Sequence, residues 1–207
     1  MEISVKGVSE GQPVPEPFAF GVYDEKQHMR LGENRNPEVS WKNAPLETKS
    51  FAIVMKDPDV PSQADDVNQE GKTVSKDIPR VDFYHWLLVD IPPGIDKIEE
   101  GEDSDEVVAK GKPIGKTEKG LRGANTYTHF LAGDANMEGT YGGYDGPCPP
   151  WNDEIIHHYE FTVYALDVET LGLEGAFEGP DVEKAIEGHV LDKASVTGTY
   201  TLNPDLR

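Results

Sequence analysis

Asp57 and Asp59 stand two residues apart in "DPDVP", just after an apolar run, and two imidazoles lie in other apolar stretches. His85 is inside "FYHWLLVD", and His157 heads "HHYEFTVYALD". A carboxylate beside an imidazole orients the ring and favours its charged form, so Asp57 and Asp59 are each placed to serve one histidine. An imidazolium with a free N–H then holds an anion without any lysine. Before His157, "GPCPPWNDEII" supplies Pro147, Pro149 and Pro150. These fix a rigid turn, with a cis peptide among its options, that offers backbone N–H groups to a pocket. The same Asp and His groups admit a second chemistry, metal-assisted or acid–base hydrolysis of a phosphoester. Against it, no local ligand spacing is diagnostic of a metal and no nucleophile stands out. Cys148, the single cysteine, reads as a small buried filler between two prolines.

Other motifs fail on spacing. "GKPIGKT" (111–117) has three residues between its glycines where a phosphate-binding P-loop needs four, and it lies in a charged loop. "DPDVPSQADDVN" puts Pro61 where a calcium loop needs an oxygen and lacks the required glycine. The chain carries 19 basic and 39 acidic residues, a formal charge of -20, which excludes nucleic acid and anionic membrane surfaces as partners. One cysteine allows no internal disulfide, the N-terminus lacks a signal-peptide pattern, and no stretch approaches the roughly 20 apolar residues of a membrane span. These features predict a soluble cytoplasmic protein.

The elements that must position the four side chains read mainly as strands. "SFAIVMKD" (50–57) is an apolar run suited to a strand buried on both faces, and "FYHWLLVDIPPG" (83–94) is a second, stopped by two prolines and a glycine. From 157 to 165 the period is two: His157, Tyr159, Phe161, Val163 and Ala165 share the inward face, and His158, Glu160, Thr162 and Tyr164 the other. An inward histidine must find hydrogen-bond partners or bear a desolvation cost. "GPDVEKAIEGHVL" is the best helix, short, with Pro180 in its first turn and Val182, Ala185 and Ile186 as its apolar stripe. Helices do not alternate with strands, so an antiparallel β-sandwich with few helices is expected, as one domain over 1–207. Charged insertions near 62–82 and 99–120 read as mobile or partner-facing loops.

"DPDVP", "FYHWLLVDIP", "YDGPCPP" and "HHYEFTVYALD", in that order, with "GHVLDKASVTGTY" at the end, resemble the bacterial and archaeal branch of the phosphatidylethanolamine-binding (Raf kinase inhibitor-like) proteins. The resemblance spans roughly residues 15 to 202. It implies a Greek-key antiparallel β-sandwich and a pocket for phosphate, acetate or phosphorylated headgroups. Carried over residue by residue, it places Asp57, Asp59, His85, Gly146, Pro149, Pro150, His157 and Tyr159 around that pocket. Two departures stand out: "WNDEII" lengthens the approach to the histidine, and the usual "HRY" is "HHY". Trp151 reads as a structural aromatic or a pocket rim. The expectation is a non-enzymatic binding module for a small phosphorylated or anionic ligand, using no cofactor and no metal. The resemblance implies regulation of a kinase or peptidase as a protein partner, and self-association into a homodimer is compatible with it.

Overall fold

The computed structural model describes every residue from Met1 to Arg207. In chain order the strands are β1 (Glu2–Val5), β2 (Gly21–Asp24), β3 (His28–Leu31), β4 (Val39–Lys42), β5 (Ser50–Pro61) and β6 (Arg80–Ile91). There follow β7 (Lys97–Ile98), β8 (Gly115–Lys116), β9 (Leu121–Arg122), β10 (His157–Leu166) and β11 (Val190–Tyr200). Two α-helices, α1 (Tyr127–Phe130) and α2 (Gly179–Ile186), complete the regular structure apart from short 3₁₀ turns. A six-stranded sheet runs β11-β10-β5-β6-β9-β8, a three-stranded sheet β1-β4-β7, and β2 pairs with β3. Every strand pair is antiparallel, as the absence of alternating helices predicts. No helix is long and apolar enough to cross a membrane.

Strand β5 is buried on both faces, as its continuous apolar run requires. Phe51, Ile53 and Met55 join Trp86, Phe161 and Val163 in the main core, which is closed from the other layer by Val5, Val39 and Trp41. Ala52 and Val54 face the opposite way and pack with Leu87, Val89 and the Val182 and Ile186 stripe of α2. That helix begins on a capping box in which Glu178 and Asp181 satisfy each other's backbone N–H groups.

Two irregularities in the β5–β6 pairing decide where the side chains at this end of the sheet point. Met55 pairs with Trp86 but Lys56 pairs with Tyr84, so His85 is an extra residue in the ladder. Such a bulge re-aims a side chain. Here it turns His85 to the same side as Tyr159, with ring centroids 5.3 Å apart. Further along, Asp57 pairs with Phe83 and Val60 with Val81, so Pro58 sits in a second bulge, where its missing N–H costs nothing.

The two charged insertions are largely exposed, and each is tied to the sandwich at a few points. Both contain side chains that serve as internal hydrogen-bond partners. Residues 62–79 are held by buried Asn152, whose amide donates to the carbonyls of Asp66 (2.9 Å) and Lys72 (3.0 Å) and accepts from the Asn68 N–H (2.9 Å). Asn68 returns the contact by accepting the Trp151 N–H. Within 99–120, buried Asp103 accepts from the indole of Trp86 and from Arg122, and buried Lys112 reaches Asp145.

Asn152 is the side chain with the most bonds to the 62–79 segment, and Glu154, Arg80 and a backbone bridge at Val74 add to its hold. Asn152→Ala should cost on the order of 1 kcal/mol, because it removes three hydrogen bonds to partly buried backbone groups. Limited proteolysis should then cut between residues 62 and 79 faster than in the wild type while the sheet amides stay protected.

Candidate functional site

β5, β6, β10 and the turn at 146–150 meet around a cavity of ≈ 100 Å³. Asp57, His85, Pro149, Pro150, His157 and Tyr159 all line it, together with Phe83, Tyr127 and Cys148. Two expected members are elsewhere. Asp59 turns to the outer face of the sheet, where its carboxylate accepts from the backbone and ring Nδ1 of exposed His158 at 2.8 Å each. Parity explains this, since His158 faces away from Tyr159 and the second bulge separates Asp59 from Asp57. Gly146 lies behind the cavity: its N–H donates to Asn34 and its carbonyl accepts from the Tyr127 hydroxyl. It must be glycine for packing, because a Cβ there would meet the Phe18 carbonyl at 1.9 Å.

His157 is the centre of a buried ionic chain. Its Nδ1 donates to Asp57 at 2.7 Å and its Nε2 to Asp153 at 3.1 Å. Asp153 also accepts two bonds from the Arg80 guanidinium, at 2.6 and 3.1 Å, and the second Asp57 oxygen accepts the Asp59 N–H. Burial by itself disfavours charge on the ring, but the hydrogen bonds and charges of Asp153 and Asp57 outweigh it and hold His157 up at about 9. Burial also opposes ionisation of Asp153, yet His157 and Arg80 bring its carboxyl below the usual range. The order Arg80⁺, Asp153⁻, His157⁺, Asp57⁻ alternates in sign, so the chain is internally neutral.

His85 is the opposite case. Its ring is buried, and desolvation takes it down to about 4 against the field of Asp57. Nδ1 donates to the carbonyl of Asp145 at 2.7 Å, which leaves Nε2 unprotonated and without a protein partner. The expected imidazolium with a free N–H is therefore not formed: the charged ring has both nitrogens engaged, and the other ring is neutral. Tyr159 offers the remaining polar group. Its hydroxyl is buried, lacks a hydrogen-bond partner, and is kept protonated by burial and by nearby Asp57.

The turn contains no cis peptide. Its position comes instead from Asp145, fully buried, whose carboxylate accepts from Lys112 (2.7 Å), Asn34 (2.7 Å) and Asn125 (2.8 Å). Cys148 lines the cavity with a thiol pushed up to about 12 by burial, an inert filler as its context suggests. Trp151 stacks on His28 at 3.9 Å between ring centroids and lies outside the cavity. Sequence reasoning missed Asp153, Arg80 and Asp145. Asp153 alone left a signal, an acid four residues before His157 inside the unusual "WNDEII".

The stability contributed by charged His157 should be fully present below its unfolded value of about 6.5 and be lost as pH rises through about 9. Urea unfolding at pH 6.5 and 9.5 should reveal a loss on the order of 3 kcal/mol in the wild type. His157→Gln should be less stable at pH 6.5 and lack most of that alkaline slope. His85 acts in the other direction, costing stability as pH falls from about 6.5 toward 4.

A family model described as phosphatidylethanolamine-binding protein matches residues 4–201. The chain is 32% identical over 169 residues to a UPF0098 protein of Methanothermobacter thermautotrophicus, an alignment covering 82% of this chain and 84% of the relative. A UPF0098 protein of Chlamydia muridarum is 29% identical over 200 residues, covering 97% of this chain and 98% of the relative. The crystal structure of Escherichia coli YbcL, described as a new member of the mammalian PEBP family, has the same fold, with a TM-score of 0.67, 22% identity and 97% coverage of both chains. With this fold, and with a family match that runs through every strand lining the cavity, the chain belongs to the phosphatidylethanolamine-binding protein family.

Proposed function

We propose that the chain is a non-enzymatic binding module that takes a small phosphoryl or related oxyanionic group into the cavity at His85 and Tyr159. The observation that carries this reading is the pairing of a buried, partnerless Tyr159 hydroxyl with the free Nε2 of His85, rings 5.3 Å apart, in one cavity. One is a donor and the other an acceptor. A phosphoryl group bearing one proton satisfies both, accepting from Tyr159 and donating its P–OH to His85. Leaving the hydroxyl unpaired costs about 1–3 kcal/mol, which a ligand recovers. Regulation of a kinase or peptidase in the cytoplasm is the family-level extension of this reading.

NMR titration of the histidine rings with phosphate and phosphoethanolamine at fixed pH should shift His85 selectively. His85→Ala should abolish binding in a folded protein, and Tyr159→Phe should weaken it on the order of tenfold. Affinity should fall as pH rises above about 6, where a phosphate ester loses its last proton. Unchanged affinity in Tyr159→Phe would sink the assignment.

A further inference from the structure

The cavity is polarised along the strands. Asp57, His85 and Tyr159 occupy its deep end, while toward the 62–79 segment the lining is Val60, Pro61, Ala64, Val67, Phe83 and Phe130, with Asn68 the one polar side chain that segment contributes. β5 and β6 share this gradient: Val60 follows Asp57 toward the connecting segment, and Phe83, which pairs with Asp57, precedes His85 toward the same segment. Phe83 contacts both ends, with its ring centroid 4.7 Å from His85 and 6.1 Å from Phe130. Phe130 is half exposed despite being a large aromatic, which marks the outer end of this apolar arm. Asp57 is the only acid in the lining, and both of its oxygens are already engaged.

From this we infer that the ligand is a phosphate monoester with a short apolar chain: the phosphoryl group sits at His85 and Tyr159, and the chain lies along Val60, Ala64 and Val67 against Phe83 and Phe130. The inference rests on the phosphoryl reading above and names the substituent. Each methylene that leaves water for such a wall is worth up to about fourfold in affinity. An ammonium on the same chain has no free carboxylate in the arm and forfeits its hydration. The segment at 62–79 is thereby a specificity element, because it supplies one wall of the arm and Asn152 holds that wall in place.

The test compares dissociation constants, read from His85 ring shifts, for inorganic phosphate, n-butyl phosphate and phosphoethanolamine on the full chain at one pH. Butyl phosphate should bind at least tenfold tighter than inorganic phosphate, and phosphoethanolamine should show no such gain. Val67→Asp and, separately, Phe130→Ser should each collapse the butyl-to-inorganic ratio toward one, and circular dichroism checks that both fold. A wild-type ratio below two, with inorganic phosphate still shifting His85, overturns the chain assignment and leaves the phosphoryl site standing. A high ratio untouched by both substitutions overturns it as well, by placing the chain elsewhere. No shift with any of the three removes the phosphoryl reading and this inference together. Co-sedimentation with vesicles containing phosphatidic acid, lost in Val67→Asp, would assign the site to a bilayer lipid and overturn the short free ester.

Discussion

Arg80, Asp153, His157 and Asp57 come from β6, the turn before β10, β10 itself and β5, and their alternating charges tie these four pieces of chain together inside the protein. Charges so deeply buried are costly to desolvate, and they are tolerated because each finds at least one opposite partner at hydrogen-bond distance. The arrangement is more than a fastener. By consuming both nitrogens of the one charged imidazole, it leaves the chemistry of the cavity to a neutral histidine and a phenol. The polar groups left open in the cavity are therefore one hydrogen-bond donor and one acceptor rather than a free charge.

This also resolves a tension between composition and ligand. A chain with a formal charge of -20 repels anions at long range. The proposed site at His85 and Tyr159, neutral groups beside an ion pair already matched within the protein, asks for no long-range attraction, only a good local match. The buried Lys112–Asp145 pair stands behind the same site and fixes the carbonyl that sets the tautomer of His85. A cation is thus present nearby, but it is committed to the scaffold.

Much of the fold could be read from the sequence because its signals are local. Continuous apolar runs gave β5 and β6, alternation from His157 to Ala165 gave β10, and proline, aspartate and an apolar stripe gave α2. Six of the eight anticipated pocket residues line one cavity, since they fall at the ends of those strands. What escaped notice depends on pairing between distant segments. Neither bulge is visible in one strand alone, so the "DPDVP" spacing and the family resemblance put Asp59 with Asp57 when the extra residue separates them. Likewise, nothing local in the two polar insertions reveals that Asn152 or Trp86 meets them across the fold.

The borders of the six-stranded sheet have a consequence for how copies of this chain meet. At one border, residues 11–14 bond to Thr197 and Thr199 of β11; at the other, β8 is two residues long. Exposed strand borders are the usual template for sheet growth from molecule to molecule, and here one is covered over its C-terminal part and the other is short. The long apolar strands β5 and β6 lie inside the sheet, flanked by β10 and β9, and so offer no open backbone to a second molecule.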